Sequence, residues 1–249
     1  MTSIVLPELY IGLSGSIGAG KTTAGRALRE LFNAAGQYSI FFEEEIPEWT
    51  ENILRDSNAD PIRHMELFQT LMVMRAAIRF VRSFNHKIAS VVLNERPLEE
   101  SWVFGKANLA LGRISQHFYD EIYSKIYSDF ALELEDLIVF LYVNEETAAA
   151  RRTQRNRPGE NNYGEPYLTA IADEYFKWVT SCCAEGRMLV VDWNVPRAPE
   201  QLLSLITNAL KNREILRTPS APHRDIADPL ERRRYQENRL AEIARQHAE

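Results

Sequence analysis

Apolar residues along this 249-residue chain fall into two rhythms. Short runs at 10–13, 39–43, 88–94, 137–143 and 188–192 show little polar alternation, and they read as strands buried on both faces. Between them, apolar positions recur at helical spacing over 21–35, 61–86, 99–111, 116–132, 145–156, 166–181 and 199–212. The longest of these begins at Pro61 and holds no further Gly or Pro. Strands and helices in alternation predict an α/β fold, a five-stranded parallel sheet with helices on both faces. Pro219-Ser-Ala-Pro222 reads as a linker. Beyond it, 228–249 favours helix and mixes both charge signs, which suits a solvated helix or one docked on a partner subunit. The expected division is a main domain over 1–213 and a charged, partly helical extension over 214–249.

Composition narrows the function classes. A hydrophobic content of 45% is enough for a substantial core. A net charge of −6 offers no basic footprint for nucleic acid. No stretch approaches the roughly 20 apolar residues of a membrane span, and the N-terminus has neither a charged leader nor a long apolar one. Cys182 and Cys183 are adjacent, so no disulfide within the chain is expected and a reducing, cytoplasmic setting fits.

The most informative segment is Gly15-Ser16-Ile17-Gly18-Ala19-Gly20-Lys21-Thr22, set between the first strand and the first helix. It fits G-x-x-x-x-G-K-[ST]. Backbone N–H groups of such a loop wrap phosphate oxygens, Lys21 would reach the β- and γ-phosphates, and the Thr22 hydroxyl would hold Mg²⁺. The helix dipole beginning at Lys21, Thr22 and Thr23 adds to the attraction. A nucleoside triphosphate, ATP in the simplest case, is the implied ligand.

Three further clusters bear on what is done with it. There is no Asn-Lys-x-Asp motif of a GTPase and no apolar run ending in an ordinary Walker B Asp. Asn94-Glu95-Arg96-Pro97 instead closes the third strand, where strand ends near the loop face the ligand. There Glu95 can reach Mg²⁺ and Arg96 the moving phosphate. Arg151, Arg155 and Arg157, followed by Glu160, form a basic segment that suits a lid over phosphates, because the charge to be neutralised grows as the phosphoryl group leaves. Glu43, Glu44 and Glu45 follow the second strand, with Trp49 close behind. A carboxylate there can take a proton from an acceptor hydroxyl, and Trp49 can wall an aromatic substrate.

Together these motifs resemble the deoxynucleoside kinases, the group of deoxycytidine, deoxyguanosine and mitochondrial thymidine kinases with insect and bacterial relatives. The resemblance runs from the phosphate loop to about Trp193 and includes Phe68-Gln69 on the long helix and Glu95-Arg96 with its continuation Glu99-Glu100-Ser101-Trp102. It implies a P-loop kinase with an arginine-rich lid that phosphorylates the 5′-hydroxyl of a deoxynucleoside for salvage. Glu44 would be the general base. Lys21, Arg96, Arg155 and Arg157 would stabilise the transferring group, with Arg151 helping to close the lid, and Thr22 and Glu95 would hold Mg²⁺. Gln69 would pair with the base, Trp49 would pack near it, and Glu160 would hold the 3′-hydroxyl. It also implies a homodimer, for which the long helix could serve.

The sequence departs from the family pattern in several places. Pro97 replaces a serine, the proline of the Glu-Pro-Val-x-x-Trp motif has moved to Pro47, and Asn58 stands where many relatives place a tyrosine near the sugar. An Arg–Asp pair over the base is replaced by Ala76 and Ser101, with Met72 one turn before. This small apolar wall resembles the thymidine-accepting members and points to a pyrimidine substrate. Arg75 is one residue out of register, within reach for a long side chain. The rival reading is a nucleoside monophosphate kinase such as a thymidylate kinase, and a regulatory nucleotide-binding module stands further off. The acidic cluster at 43–45 speaks against the first, since a charged acceptor needs arginines rather than a carboxylate.

Overall fold

Runs rich in Val, Ile, Leu and Phe form five strands: β1 (Leu9–Ser14), β2 (Ser39–Phe42), β3 (Val91–Glu95), β4 (Leu137–Tyr142) and β5 (Met188–Asp192). Among the described residues, seven longer helices connect or flank them: α1 (Lys21–Ala34), α2 (Pro61–Phe84), α3 (Ser101–Ala110), α4 (Glu145–Arg155), α5 (Glu165–Ala184), α6 (Pro199–Lys211) and α7 (Pro229–Gln246). The computed structural model describes residues 9–45, 60–84, 88–123, 135–156, 164–195, 197–217 and 226–248. Trp49, Asn58, Arg157 and Glu160 lie outside them.

All strand pairings are parallel, in the order β2-β3-β1-β4-β5. The chain therefore switches direction across the sheet at β1, between β3 and β4, and the carboxyl end of that strand is where an open α/β sheet leaves its ligand crevice. The glycine-rich loop follows β1 directly.

Alternation along the strands builds two cores. Leu137, Val139 and Leu141 face α1 and α6, joining Leu28, Leu202 and Ile206. Ile138, Phe140 and Tyr142 face the other side, joining Val103, Ile171, Phe176 and Val179. The second core also takes Leu240, Ile243 and Ala244 from α7. One face of the C-terminal helix packs on β5 and α5 of its own chain, while the opposite face stays exposed. His247 finishes the docking, accepting a hydrogen bond from the backbone N–H of Val190 at 2.9 Å through Nδ1.

Element ends differ from expectation in small ways. Ile88 is 72% exposed in a turn, and pairing begins at Val91. The helix expected over 116–132 starts at Gln116 under a Ser115 cap but widens into a π-helical turn at Tyr119–Tyr123. Its remainder lies outside the described residues. No helix among the described residues is long and apolar enough to cross a membrane. Cys182 and Cys183 are buried and not joined in a disulfide.

Candidate functional site

Glycines shape the loop at the end of β1. Gly15, Gly18 and Gly20 take φ values of 148°, 92° and 89°, a region that other residues rarely adopt. Lys21 opens α1 and turns back, donating to the carbonyls of Gly15 at 2.7 Å and Ser16 at 3.2 Å. Burial, and after it Arg96, pulls the Lys21 pKa below the ordinary lysine value. Thr22 donates to Glu95 Oε1 at 2.8 Å, so the hydroxyl and carboxylate expected to share a metal stand together. One carboxylate and one hydroxyl fit Mg²⁺, which keeps several waters and takes phosphate oxygens for the rest.

The three glutamates after β2 part company. Glu43 turns outward to Arg26 at 2.6 Å, and Glu45 offers its carbonyl to Arg75 at 2.9 Å. Glu44 alone of the three lines the cleft beside Lys21 and Thr22. Its backbone N–H donates to Glu95 Oε2 at 3.1 Å, and its carboxylate accepts from Arg96 Nε at 2.9 Å. Burial pushes the Glu44 pKa up, but Arg96, Arg79 and Lys21 outweigh it and hold the group below the usual carboxylate range. A carboxylate that stays ionised and sits at the phosphate loop can accept a proton from an incoming alcohol.

Arg96 lies in the left-handed region, with φ 65°. For a non-glycine residue this is a strained state that the surroundings must enforce. They do so from several sides: its N–H donates to Leu13 O at 2.8 Å, Arg79 donates to its carbonyl at 3.2 Å, and its guanidinium lies 4.4 Å from the centre of the Phe104 ring. Glu100, fully buried, pairs with it at 3.3 Å. Burial works against the charge on Arg96, yet Glu44 and Glu100 raise its pKa well above normal. Tyr175 donates to Glu100 at 2.5 Å and lies 3.3 Å from the Gly15 carbonyl. Burial, then Glu100, keeps that phenol protonated. Pro97 fits after Arg96 because Gly12 faces it, and a Cβ on Gly12 would lie only 2.6 Å from the proline ring.

Gln69, Met72, Ala76 and Ser101 line the same cleft, together with Phe68, Val73 and Tyr167. Arg155 reaches its rim. The cleft encloses about 930 Å³, open solvent included. Arg75 does not swing over the base wall, because it is held on the Glu45 carbonyl. Arg151 is occupied on the outer side of the loop, donating to Ala19 O at 3.1 Å and to Trp193 O at 2.7 Å. Thr23 is exposed on the first turn of α1 and does not line the cleft.

Sequence reasoning passed over Arg79, Glu100, Phe104 and Tyr175 as parts of the site. Glu100 stands four residues after Arg96, but the left-handed Arg96 and extended Pro97 interrupt any helical turn there, so no local pattern announced the pair. Tyr175 carried no signal either, since it meets Glu100 across 75 residues of chain.

A family model described as deoxynucleoside kinase matches residues 11–211. A deoxyadenosine kinase of Dictyostelium discoideum is 26% identical over 204 residues, covering 81% of this chain and 79% of that protein. Among solved structures, deoxyadenosine kinase from M. mycoides with dCMP and dCDP bound superposes with a TM-score of 0.65 at 24% identity, covering 82% of this chain and 99% of that one. The same enzyme with bound dATP gives 0.64 at 23% identity, covering 82% and 100%. At that identity the superpositions speak to the fold alone.

Proposed function

We propose, from the premise that this chain belongs to the deoxynucleoside kinase family and is a deoxynucleoside kinase, that it transfers the γ-phosphoryl group of ATP to the 5′-hydroxyl of a deoxynucleoside. The observation that carries this reading is the Glu44–Arg96 pair, linked to Glu95 and lying in one cleft with Lys21 and Thr22. Glu44 takes the hydroxyl proton as the 5′-oxygen bonds to phosphorus and the bond to the ADP oxygen breaks. Arg96 and Lys21 offset charge on the moving group, and Arg155 joins them from the rim with Arg157 in an arginine lid, while Arg151 stays on the loop carbonyls behind it. Thr22 and Glu95 would hold Mg²⁺, which supplies charge neutralisation between the donor phosphates. Roles for Glu160 and Asn58 at the sugar, and for Trp49 near the base, rest on the family resemblance.

Gln69 offers both a donor and an acceptor to the base. Cytosine and adenine each present an amino group beside a ring nitrogen acceptor, so the amide suits either. The pyrimidine preference drawn from the sequence gains no support from the relatives, which are named deoxyadenosine kinases. Ala76 and Ser101 are small, and the room they leave admits a purine. We therefore rank deoxyadenosine at least level with the pyrimidine nucleosides.

A homodimer is proposed through α2. Leu67, Met74, Ile78 and Val81 lie on one of its faces, each 40–50% exposed. The reduced state of the adjacent Cys182 and Cys183 suits a reducing cytoplasm.

The deciding experiment is a steady-state panel of the four deoxynucleosides, with ribonucleosides and deoxynucleoside monophosphates in parallel. Transfer to deoxynucleosides is expected. Phosphorylation of the monophosphates alone would overturn this reading in favour of a nucleoside monophosphate kinase.

A further inference from the structure

The family match ends at residue 211, yet α7 is fastened to the donor side of the cleft. Glu237 accepts from the backbone N–H of Glu145, the first residue of α4, at 3.2 Å, and its own carbonyl accepts from the Tyr142 hydroxyl at 3.1 Å. That N–H is one of the donors a helix leaves unsatisfied at its start. Asn144 caps the N–H of Thr147, so Glu237 completes the cap. The Glu145 side chain in turn grips Arg152 at 2.5 Å. Arg152 is 11% exposed and reaches on to the carbonyl of Ile17 in the phosphate loop at 3.3 Å. The helix lies so close to that loop that a Cβ on Gly18 would stand 2.8 Å from the Ala148 carbonyl.

In a trans peptide, C=O and N–H point opposite ways. Arg152 on Ile17 O and Arg151 on Ala19 O hold these carbonyls toward α4, which turns the N–H groups of Gly18 and Gly20 away from it. We propose that Glu237 and Arg152 are positioning residues for the donor phosphates. Through Glu145, the C-terminal helix fixes α4, and Arg152 fixes the loop peptide whose N–H meets phosphate. The inference rests on the triphosphate-binding reading above.

Calorimetric titration of the full-length protein with ATP, followed by steady-state kinetics, tests it. No ATP binding by the unmutated protein would sink the underlying reading. Binding by that protein with no change in the variants sinks only this inference. Glu237→Ala and Arg152→Ala should each weaken ATP binding and raise its KM by roughly five- to tenfold, the size of a lost cap, with the nucleoside KM unchanged. Glu237→Gln keeps an acceptor oxygen and should stay within about twofold of the parent. The double variant should bind ATP no more weakly than Arg152→Ala alone, because the two act along one chain of contacts. Additive losses overturn the proposal, and so does a lower melting temperature with unchanged ATP affinity. Gln236→Ala, on the same helix as Glu237, removes a 2.7 Å hydrogen bond to Asp173 of α5 and should leave ATP affinity intact. An equal loss there would mean general loosening and would also overturn it. Should Glu237→Ala not fold, Glu145→Ala cuts the same chain one link on, at the Arg152 contact, and carries the test.

Discussion

At the carboxyl ends of β1 and β3, Glu44, Arg96, Glu100 and Tyr175 are joined through ion pairs and hydrogen bonds, and the buried Lys21 feels their charges from the adjoining loop. On the α2 side of the same cleft, Met72, Ala76 and Ser101 face the ligand space with short or apolar side chains. In the first region each charge depends on the others for its state: without Arg96, burial would push Glu44 toward the neutral acid. In the second, what a residue contributes is chiefly its volume. Substitution should therefore damage the chemistry in one region and alter substrate choice in the other.

The sharpest way to break this comparison is Glu44→Gln. A general base contributes typically about 10²–10⁴-fold, so kcat should fall by that much while ATP affinity holds. An unchanged kcat would remove Glu44 from the reaction. Glu100→Gln comes next: Arg96 loses one of two anionic partners, and kcat should drop roughly tenfold to a hundredfold, as for a weakened charge-stabilising group. Equal kcat in that variant would show that Arg96 needs only Glu44.

How far these two regions were legible beforehand follows the same division. The phosphate loop, Glu44, Glu95 and Arg96 stood out because their chemistry demands particular residue types at fixed places on a strand–loop–helix pattern. The parallel sheet was legible as five apolar runs, but their spatial order was not, since nothing local records which strand lies beside which. Tyr175 and Glu237 were hidden because each acts on a segment distant in sequence, 75 and 92 residues away. Arg151 was legible as part of the basic segment but its neighbour Arg152 was not, and helix geometry sends the two to different carbonyls. The stripe Gln236, Leu240, Ile243, Ala244 and His247 was present at helical spacing, but charges on either side masked it.

His247 supplies a contrast to both regions, a single buried polar group outside the cleft. Burial pulls its pKa down to about 4 from an ordinary 6.5. Between those values the unfolded chain binds the proton and the folded one does not, so stability is full above about pH 6.5 and declines as pH falls toward 4. The His247 contribution at pH 5 is a loss of up to about 2 kcal/mol relative to pH 7, set against an opposite contribution from buried Glu135, whose pKa is raised to about 7, so it is read as the difference in slope between the parent and His247→Asn in thermal unfolding. An unaltered slope in the variant would place the acid sensitivity elsewhere.

The smallest effect is expected at the wall. Ala76→Met fills space without adding charge and should shift the ratio of kcat/KM values against deoxyadenosine by about tenfold, the range for a changed apolar pocket. A matched fall for every nucleoside would mean that the wall, too, serves the chemistry.

The contact between Gly12 and Pro97 constrains how this lineage can change. A larger residue at 12 is excluded while the ring at 97 stands 2.6 Å from its Cβ; a serine at 97 removes that clash and leaves Glu135, 3.3 Å away, as the neighbour that must give. Sequence drift at the two sites must then run in one order, and chains that carry proline after the arginine should be found with glycine on the facing strand.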